Sequence, residues 1–303
     1  MKIYLIGVGG VGGFYGGLLT ESGADITLVS RGESFKTIKE DGLVLSRPDK
    51  ISFIHPKIIE HISQITEPEL LILAVKSYNL EEVARDLGPI VRKDTTVITI
   101  QNGLDNDLVV GRILDCEVLP GLVLVAATKT TPNTVVQKGT QKRLVFGPRG
   151  GKVTPKMMEI EQIFKEAGIE AKLTEKIENK LWKKFLFVAA FSSATVAGNC
   201  AIGEALKNPK TLKVYQDVLA EVMAVGVKEG VEFDPDIFET TLRGAMDFDP
   251  SVKSSLLVDL ENSRQTEVEA LQEVVIRLAE KHGLSVPATR QVYNLVLSYE
   301  NTH

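Results

Sequence analysis

Three groups of residues in this 303-residue chain could do chemistry. The first is a glycine-rich run, YLIGVGGVGGFYGG, from Tyr4 to Gly17, in which Gly7, Gly9 and Gly12 keep the spacing GxGxxG. Glycine costs about 0.5–1 kcal/mol against alanine inside a regular element, so so dense a cluster implies a tight turn or a close approach to the backbone. The spacing begins where a strand pattern (Lys2 to Val8) stops and a helix pattern (Val11 to Ser22) starts. In that setting the first glycine permits the turn, the second admits a pyrophosphate and the third lets helix pack on strand. The phosphates sit at the helix N-terminus, where unsatisfied N–H groups and the helix dipole favour negative charge. Gly7, Gly9, Gly10, Val11 and Gly12 are thus the expected cradle of a dinucleotide. A glycine turn that binds nothing is the other reading.

The second group ends the next strand pattern, Asp25 to Ser30, in the sequence LVSRGE. An NAD site usually carries Asp or Glu there for the ribose 2′-hydroxyl; here Ser30 and Arg31 stand instead. A guanidinium grips a 2′-phosphate in a bidentate fork, whereas a carboxylate repels it. The expectation is NADPH, with Arg31 on the phosphate and Ser30 assisting. The alternative is a solvated arginine beside Glu33.

The third group is polar residues in apolar or turn settings. Lys184, in NKLWKKFLF, enters a helix pattern that is apolar nearly all round, with Leu181, Val188 and Phe191 on its own face. Such a lysine either snorkels to water or has a chemical task. Partial desolvation lowers the pKa of such a lysine from its ordinary value near 10.4. Glu267, in RQTEVEAL, reads as a carboxylate at a helix start. Ser255, in KSSLLVDL, fits a local backbone hydrogen-bonder, and Asn102, in TIQNG, a turn residue before Gly103.

These groups need elements to position them. From Lys2 to Leu114 short β-rich runs alternate with helical patterns: LLILAV (Leu70 to Val75) precedes Leu80 to Leu87, and TTVITI (Thr95 to Ile100) precedes Asn106 to Leu114. Between Val123 and Phe146 the pattern becomes β runs joined by polar residues, as in antiparallel strands at one end of a sheet. A helix over Thr154 to Ala167 and a strand over Ile169 to Leu173 close this half. Beyond Thr174 only helical spacing remains, at Glu178 to Ala197, Lys210 to Glu229, Asp236 to Arg243 and Val268 to His282. The expected fold is α/β: an N-terminal Rossmann-type doubly wound parallel sheet (residues 1–173), then an all-helical C-terminal domain (174–303), with a ligand cleft between them.

A formal net charge of −5 gives no electrostatic reason to expect nucleic acid or an anionic membrane as partner. The longest apolar runs, such as Lys184 to Thr195, fall short of the roughly 20 residues that span a bilayer. A strand pattern starting at once, without a secretory leader, points to the cytoplasm. Cys116 and Cys200 read as reduced packing residues, and the apolar helical half could support a homodimer.

The strand ends AVKSYN and TIQNG bring Lys76, Asn102 and Gly103 to the edge where ligands of open α/β sheets lie. Together with the glycine loop, Arg31 and a helical second half, they resemble the ketopantoate reductase (2-dehydropantoate 2-reductase) family over essentially the whole chain. The resemblance implies that Lys76 and Asn102 lie beside the nicotinamide and its ribose. It also implies that Lys184 donates the proton, with Lys183 in the variable position before it, and that Ser255 and Glu267 serve the substrate site. The implied reaction is NADPH-dependent reduction of a 2-keto acid, ketopantoate, to pantoate, on the route to pantothenate and coenzyme A. The sequence departs from the family where asparagines usually follow the lysine at intervals of four: Val188 and Ser192 stand there, Asn199 falls in the later stretch GNCAIGEAL, and Ile202 replaces a usually polar residue. Ser192 and Asn199 join Ser255 as expected substrate contacts. Reduction of another 2- or 3-oxo acid within the 6-phosphogluconate dehydrogenase-like superfamily is the alternative. A non-catalytic NADPH sensor is a third reading, which needs neither Lys184 nor Glu267.

Overall fold

The structure, a computed structural model, describes residues 1–300. It divides into two compact units: residues 1–101 with 105–177, and residues 102–104 with the chain from Glu178 onward. The first unit continues to Ile177, a little past the expected division at Thr174, and the Asn102–Leu104 turn groups with the helices rather than with the strand that precedes it.

The first unit is a ten-stranded mixed sheet. Its parallel part contains β1 (Ile3–Ile6), β2 (Ile26–Val29), β5 (Lys57–Ile59), β6 (Leu70–Leu73), β7 (Thr96–Thr99) and the start of β8 (Glu117–Thr131), in the order β5-β2-β1-β6-β7-β8. β1, β2, β6 and β7 are mostly apolar and almost wholly buried, as strands covered on both faces must be, whereas β5 is exposed or intermediate and β8 is buried only over Leu119–Val123. On one face α1 (Gly10–Glu21) seats Phe14, Tyr15, Leu18 and Leu19 on Leu5 and Leu28. On the other, α3 (Leu80–Leu87) and α4 (Asn106–Gly111) bury Leu80, Val83, Leu87 and Val110 against Tyr4, Leu71 and Val97. The chain leaves β1 for β2 on one side and later returns to β6 on the other. That reversal is the switch point beyond which ligands of such sheets lie.

The remaining strands break the parallel pattern. β9 (Thr134–Phe146) runs antiparallel to β8, as the polar-joined β runs predict. β3 (Leu43–Ser46) and β10 (Glu170–Leu173) pair in parallel with β9, and β4 (Ile51–Ile54) is antiparallel to β3. Sequence periodicity assigns nothing from Gly32 to Ile59, where α2 (Gly32–Asp41), β3, β4 and β5 form. α5 (Pro155–Glu166) starts as its sequence demands, with the Thr154 side chain accepting from the Met157 N–H and proline at the first position. A two-pronged ion pair, Arg149 to the buried Asp107 carboxylate at 2.8 Å, ties the loop after β9 to α4.

The second unit contains α6 (Ile177–Gly198), α7 (Ile202–Lys207), α8 (Pro209–Lys228), α9 (Ile237–Met246), α10 (Ser255–Glu261), α11 (Val274–Lys281) and α12 (Pro287–Glu300). The expected single helix over Val268 to His282 instead opens with a π-helical turn, Glu269–Glu273, before α11. Among the described residues no helix is long and apolar enough to cross a membrane. Cys116 and Cys200 are free thiols in partly buried positions, and burial pushes the Cys116 thiol up to about 11.

Candidate active site

The glycine loop behaves as its spacing demands. Gly7 has φ +101, and a Cβ there would lie 2.7 Å from the Ala74 carbonyl carbon. A Cβ on Gly12 would run into the Gly7 carbonyl oxygen, and one on Gly10 into the Ala127 carbonyl oxygen. Gly9 differs: nothing lies within 4 Å of the Cβ it lacks. Gly9 is also the N-cap of α1, with no side chain capping the helix and no acidic residue in its first turn. Three glycines are required by the protein's own packing, then, while the fourth faces open space at an uncapped helix start. That is the shape a pyrophosphate needs, so these residues fit a dinucleotide.

Ser30 is buried after β2, with its N–H bonded to the Ile59 carbonyl. Arg31 is well exposed, its guanidinium 3.5 Å from Glu82 and 3.7 Å from Asp86 of α3. Lys76 is half-buried just beyond β6, where its carbonyl starts a short 3₁₀ turn. Gln101, to which sequence reasoning assigned no role, is buried beyond β7, and neither its Nε2 nor its Oε1 has a hydrogen-bond partner. Its signal in the sequence was a polar residue directly behind an apolar strand.

In the second unit the central geometry is short. The Lys184 ammonium donates to the Asn102 Oδ1 at 2.7 Å, the length of a charge-assisted bond. Burial pushes the Lys184 amine down to about 8, against the Glu267 carboxylate, which favours the charged form. Gly103, at φ +136, turns the chain straight after Asn102. The neighbouring Lys183 is engaged elsewhere, in an ion pair with Asp234 at 2.5 Å. Of the two adjacent lysines, Lys184 therefore has the environment of an acid–base group.

The other expected contacts are placed differently. Ser192 is buried, and its hydroxyl donates back to the Val188 carbonyl at 2.7 Å. Asn199 is exposed, at φ +47, just past the end of α6, where a left-handed residue closes the helix. At 1.5 Å per residue it lies about 22 Å along the axis from Lys184. Ser255 is an exposed first residue of α10; its neighbour Ser254 is buried, caps the helix and accepts from the Thr195 hydroxyl at 2.7 Å. Ile202 is wholly buried. Lys184, Asn102 and Glu267 are thus brought together, whereas Asn199 is not among them.

The family model described as ketopantoate reductase PanE/ApbA matches residues 3–151, and its C-terminal companion matches residues 176–300. The chain belongs to the ketopantoate reductase family. A relative from Bacillus subtilis (strain 168), described as an uncharacterized oxidoreductase YkpB, is 30% identical over 99% of both chains. The crystal structure of a PanE/ApbA family ketopantoate reductase from Ralstonia eutropha JMP134 superposes with TM-score 0.93 at 26% identity, covering 100% of this chain and 99% of that one. D-mandelate dehydrogenase, in a ternary structure with NADH and anilino(oxo)acetate, shares the fold with TM-score 0.91 at 22% identity, over 100% of this chain and 99% of that one. As a member of this family the protein is an oxidoreductase.

Proposed function

We propose that the protein reduces a 2-oxo acid to the 2-hydroxy acid with NADPH, ketopantoate being the first candidate substrate. The observation that carries this reading is the Lys184 ammonium, held at 2.7 Å by Asn102 and with its pKa brought down to about 8. A group with that pKa is mostly protonated at neutral pH yet gives its proton up readily, as a general acid must. A bound reduced nicotinamide supplies the hydride. The protein's own work is to orient the ketone, polarise it and protonate its oxygen. Lys184 does the last two, and the Asn102 carboxamide fixes the direction of its ammonium. Glu267 acts as a positioning residue that keeps the ammonium charged between turnovers. Ser255, exposed at the start of α10, is available to the substrate carboxylate.

The Gly9 opening at the start of α1 supports pyrophosphate binding there, flanked by Gly7, Gly10, Val11 and Gly12. Arg31 supports NADPH over NADH, because no carboxylate replaces it after β2 and its guanidinium stays accessible. A 2′-phosphate would compete there with Glu82 and Asp86. Steady-state assay of the purified protein with ketopantoate, following nicotinamide absorbance with NADPH and with NADH in parallel, tests the reading. The expected result is turnover, faster with NADPH. Absence of turnover with ketopantoate and with a panel of other 2-oxo acids would overturn it.

A further inference from the structure

A second cation reaches the surroundings of the glycine loop from distant chain. β8 passes the start of α1 so closely that a Cβ on Gly10 would meet the Ala127 carbonyl oxygen and lie 3.1 Å from the Thr128 Cα. The next residue of β8, Lys129, extends to the start of α2, where its ammonium donates to the Ser34 hydroxyl oxygen at 2.7 Å. One side chain thus links the strand packed on the α1 N-terminus to the first turn of the helix that follows β2.

The charges around that turn are unevenly matched. Arg31 faces two carboxylates, Glu82 at 3.5 Å and Asp86 at 3.7 Å, and the Gly32 N–H donates to the Glu60 carboxylate at 3.3 Å. Lys129, by contrast, has no carboxylate in ion-pair range among the described residues; its partner is the Ser34 hydroxyl. The residue is exposed, yet the protein around its amine pushes the pKa below the ordinary lysine value by desolvation, and no neighbouring anion raises it again. Because the Ser34 oxygen accepts from Lys129, the serine proton remains available to donate. An ammonium and a hydroxyl donor fixed together without an acidic partner complement an anion.

We propose that Lys129, steadied by Ser34, is a second specificity-determining contact for the 2′-phosphate of NADPH, acting together with Arg31. The inference rests on the reading of Arg31 as a 2′-phosphate contact and extends it across the fold to β8. In sheets of this kind the adenosine ribose is met by residues just after β2, and Ser34 is the third residue past Arg31. A phosphate monoester carries about −1.5 to −2 charges at pH 7, more than one guanidinium already answered by two carboxylates can balance. Lys129 supplies the missing positive charge. The pyrophosphate at the start of α1 is the competing anion, but the ammonium is bonded to α2 and not to α1, which favours the 2′ side.

Calorimetric titration of the intact protein with two fragments of the cofactor tests this without any turnover. The fragments are adenosine 2′,5′-bisphosphate and adenosine 5′-monophosphate, which differ only in the 2′-phosphate. The wild type should prefer the bisphosphate. In K129M the bisphosphate should bind about tenfold more weakly, the scale of one charge-assisted hydrogen bond, while the monophosphate stays within about twofold of wild type. K129R, which keeps the charge, should recover most of the loss, and S34A should show part of it. Both fragments are titrated on one preparation, and a dissociation constant does not depend on the fraction of the protein that is folded. K129M weakening both fragments alike, or neither, overturns the inference; if R31A still weakens the bisphosphate alone, the NADPH reading stands. A wild type that binds the two fragments equally overturns the NADPH reading itself, and the inference with it.

Discussion

Replacing Glu267 with glutamine isolates its effect on the proton donor. Lysine ordinarily titrates near 10.5, and burial brings Lys184 down to about 8 even though Glu267 pulls in the other direction. That net change corresponds to about 3 kcal/mol disfavouring the charged amine. An opposing charge a few ångströms away moves a pKa by about 1–3 units, so, taking the low end of that range for Glu267, its removal should lower the Lys184 pKa by about one unit. The ammonium is the active form, so activity falls as pH rises through this pKa. In the wild type the kcat/KM profile should bend downward near pH 8. In E267Q the bend should move about one unit lower or more. At pH 7.5 the protonated fraction then drops from about three quarters to about one quarter, a threefold loss from titration alone, which vanishes near pH 6. Loss that persists at pH 6 measures misplacement of the ammonium. An E267Q profile that bends at the wild-type pH, or above it, would refute the reasoning, since a purely structural role for Glu267 leaves the bend where it is.

Three further expectations follow from the same geometry. Lysine 184 has its pKa depressed in the folded state, so its charged form costs stability below pH 8, and the cost is relieved as pH rises from about 8 to 10.5. Lys184→Met should therefore raise the thermal midpoint at pH 7, by about 1–3 kcal/mol of stability, with the gain shrinking toward pH 10.5; a destabilised variant, or a gain independent of pH, contradicts this. Gly12→Ala collides with the Gly7 carbonyl and should lower the thermal midpoint, whereas Gly9→Ala meets only open space and should fold normally while weakening NADPH binding, as read by fluorescence titration. Arg31→Ala should erase a preference for NADPH over NADH, and Glu82→Gln with Asp86→Asn should strengthen it by freeing the guanidinium; equal cofactor ratios in all three proteins would remove Arg31 from that role.

Much of the site was legible because its demands are local. GxGxxG reports a steric need that holds wherever a strand turns into a helix around phosphate, and Gly12 meets that need five residues back, at the Gly7 carbonyl. The apolar surroundings of Lys184 were equally visible, because helix spacing reveals which residues share a face. Other features depend on distant chain. That Asn102 groups with the helices and accepts a hydrogen bond from the Lys184 ammonium joins residues 82 positions apart. Nothing in the pair Ser254–Ser255 says that the first is the buried cap and the second the exposed hydroxyl. The π turn before α11 keeps enough apolar spacing to pass for ordinary helix, and β3, β4 and β5 are too short and too exposed in places for a period of two to stand out. Phe248 joins the α6 face only because the loop after α9 folds it there.

The account stands on the Lys184 ammonium as the source of the proton, and Lys184→Ala measured for turnover and for NADPH binding in the same preparation tests it most directly. Loss of a general acid should lower kcat by about 10²–10⁴-fold while the NADPH dissociation constant stays within a few-fold of wild type. A variant that turns over within twofold of the wild type would contradict the account.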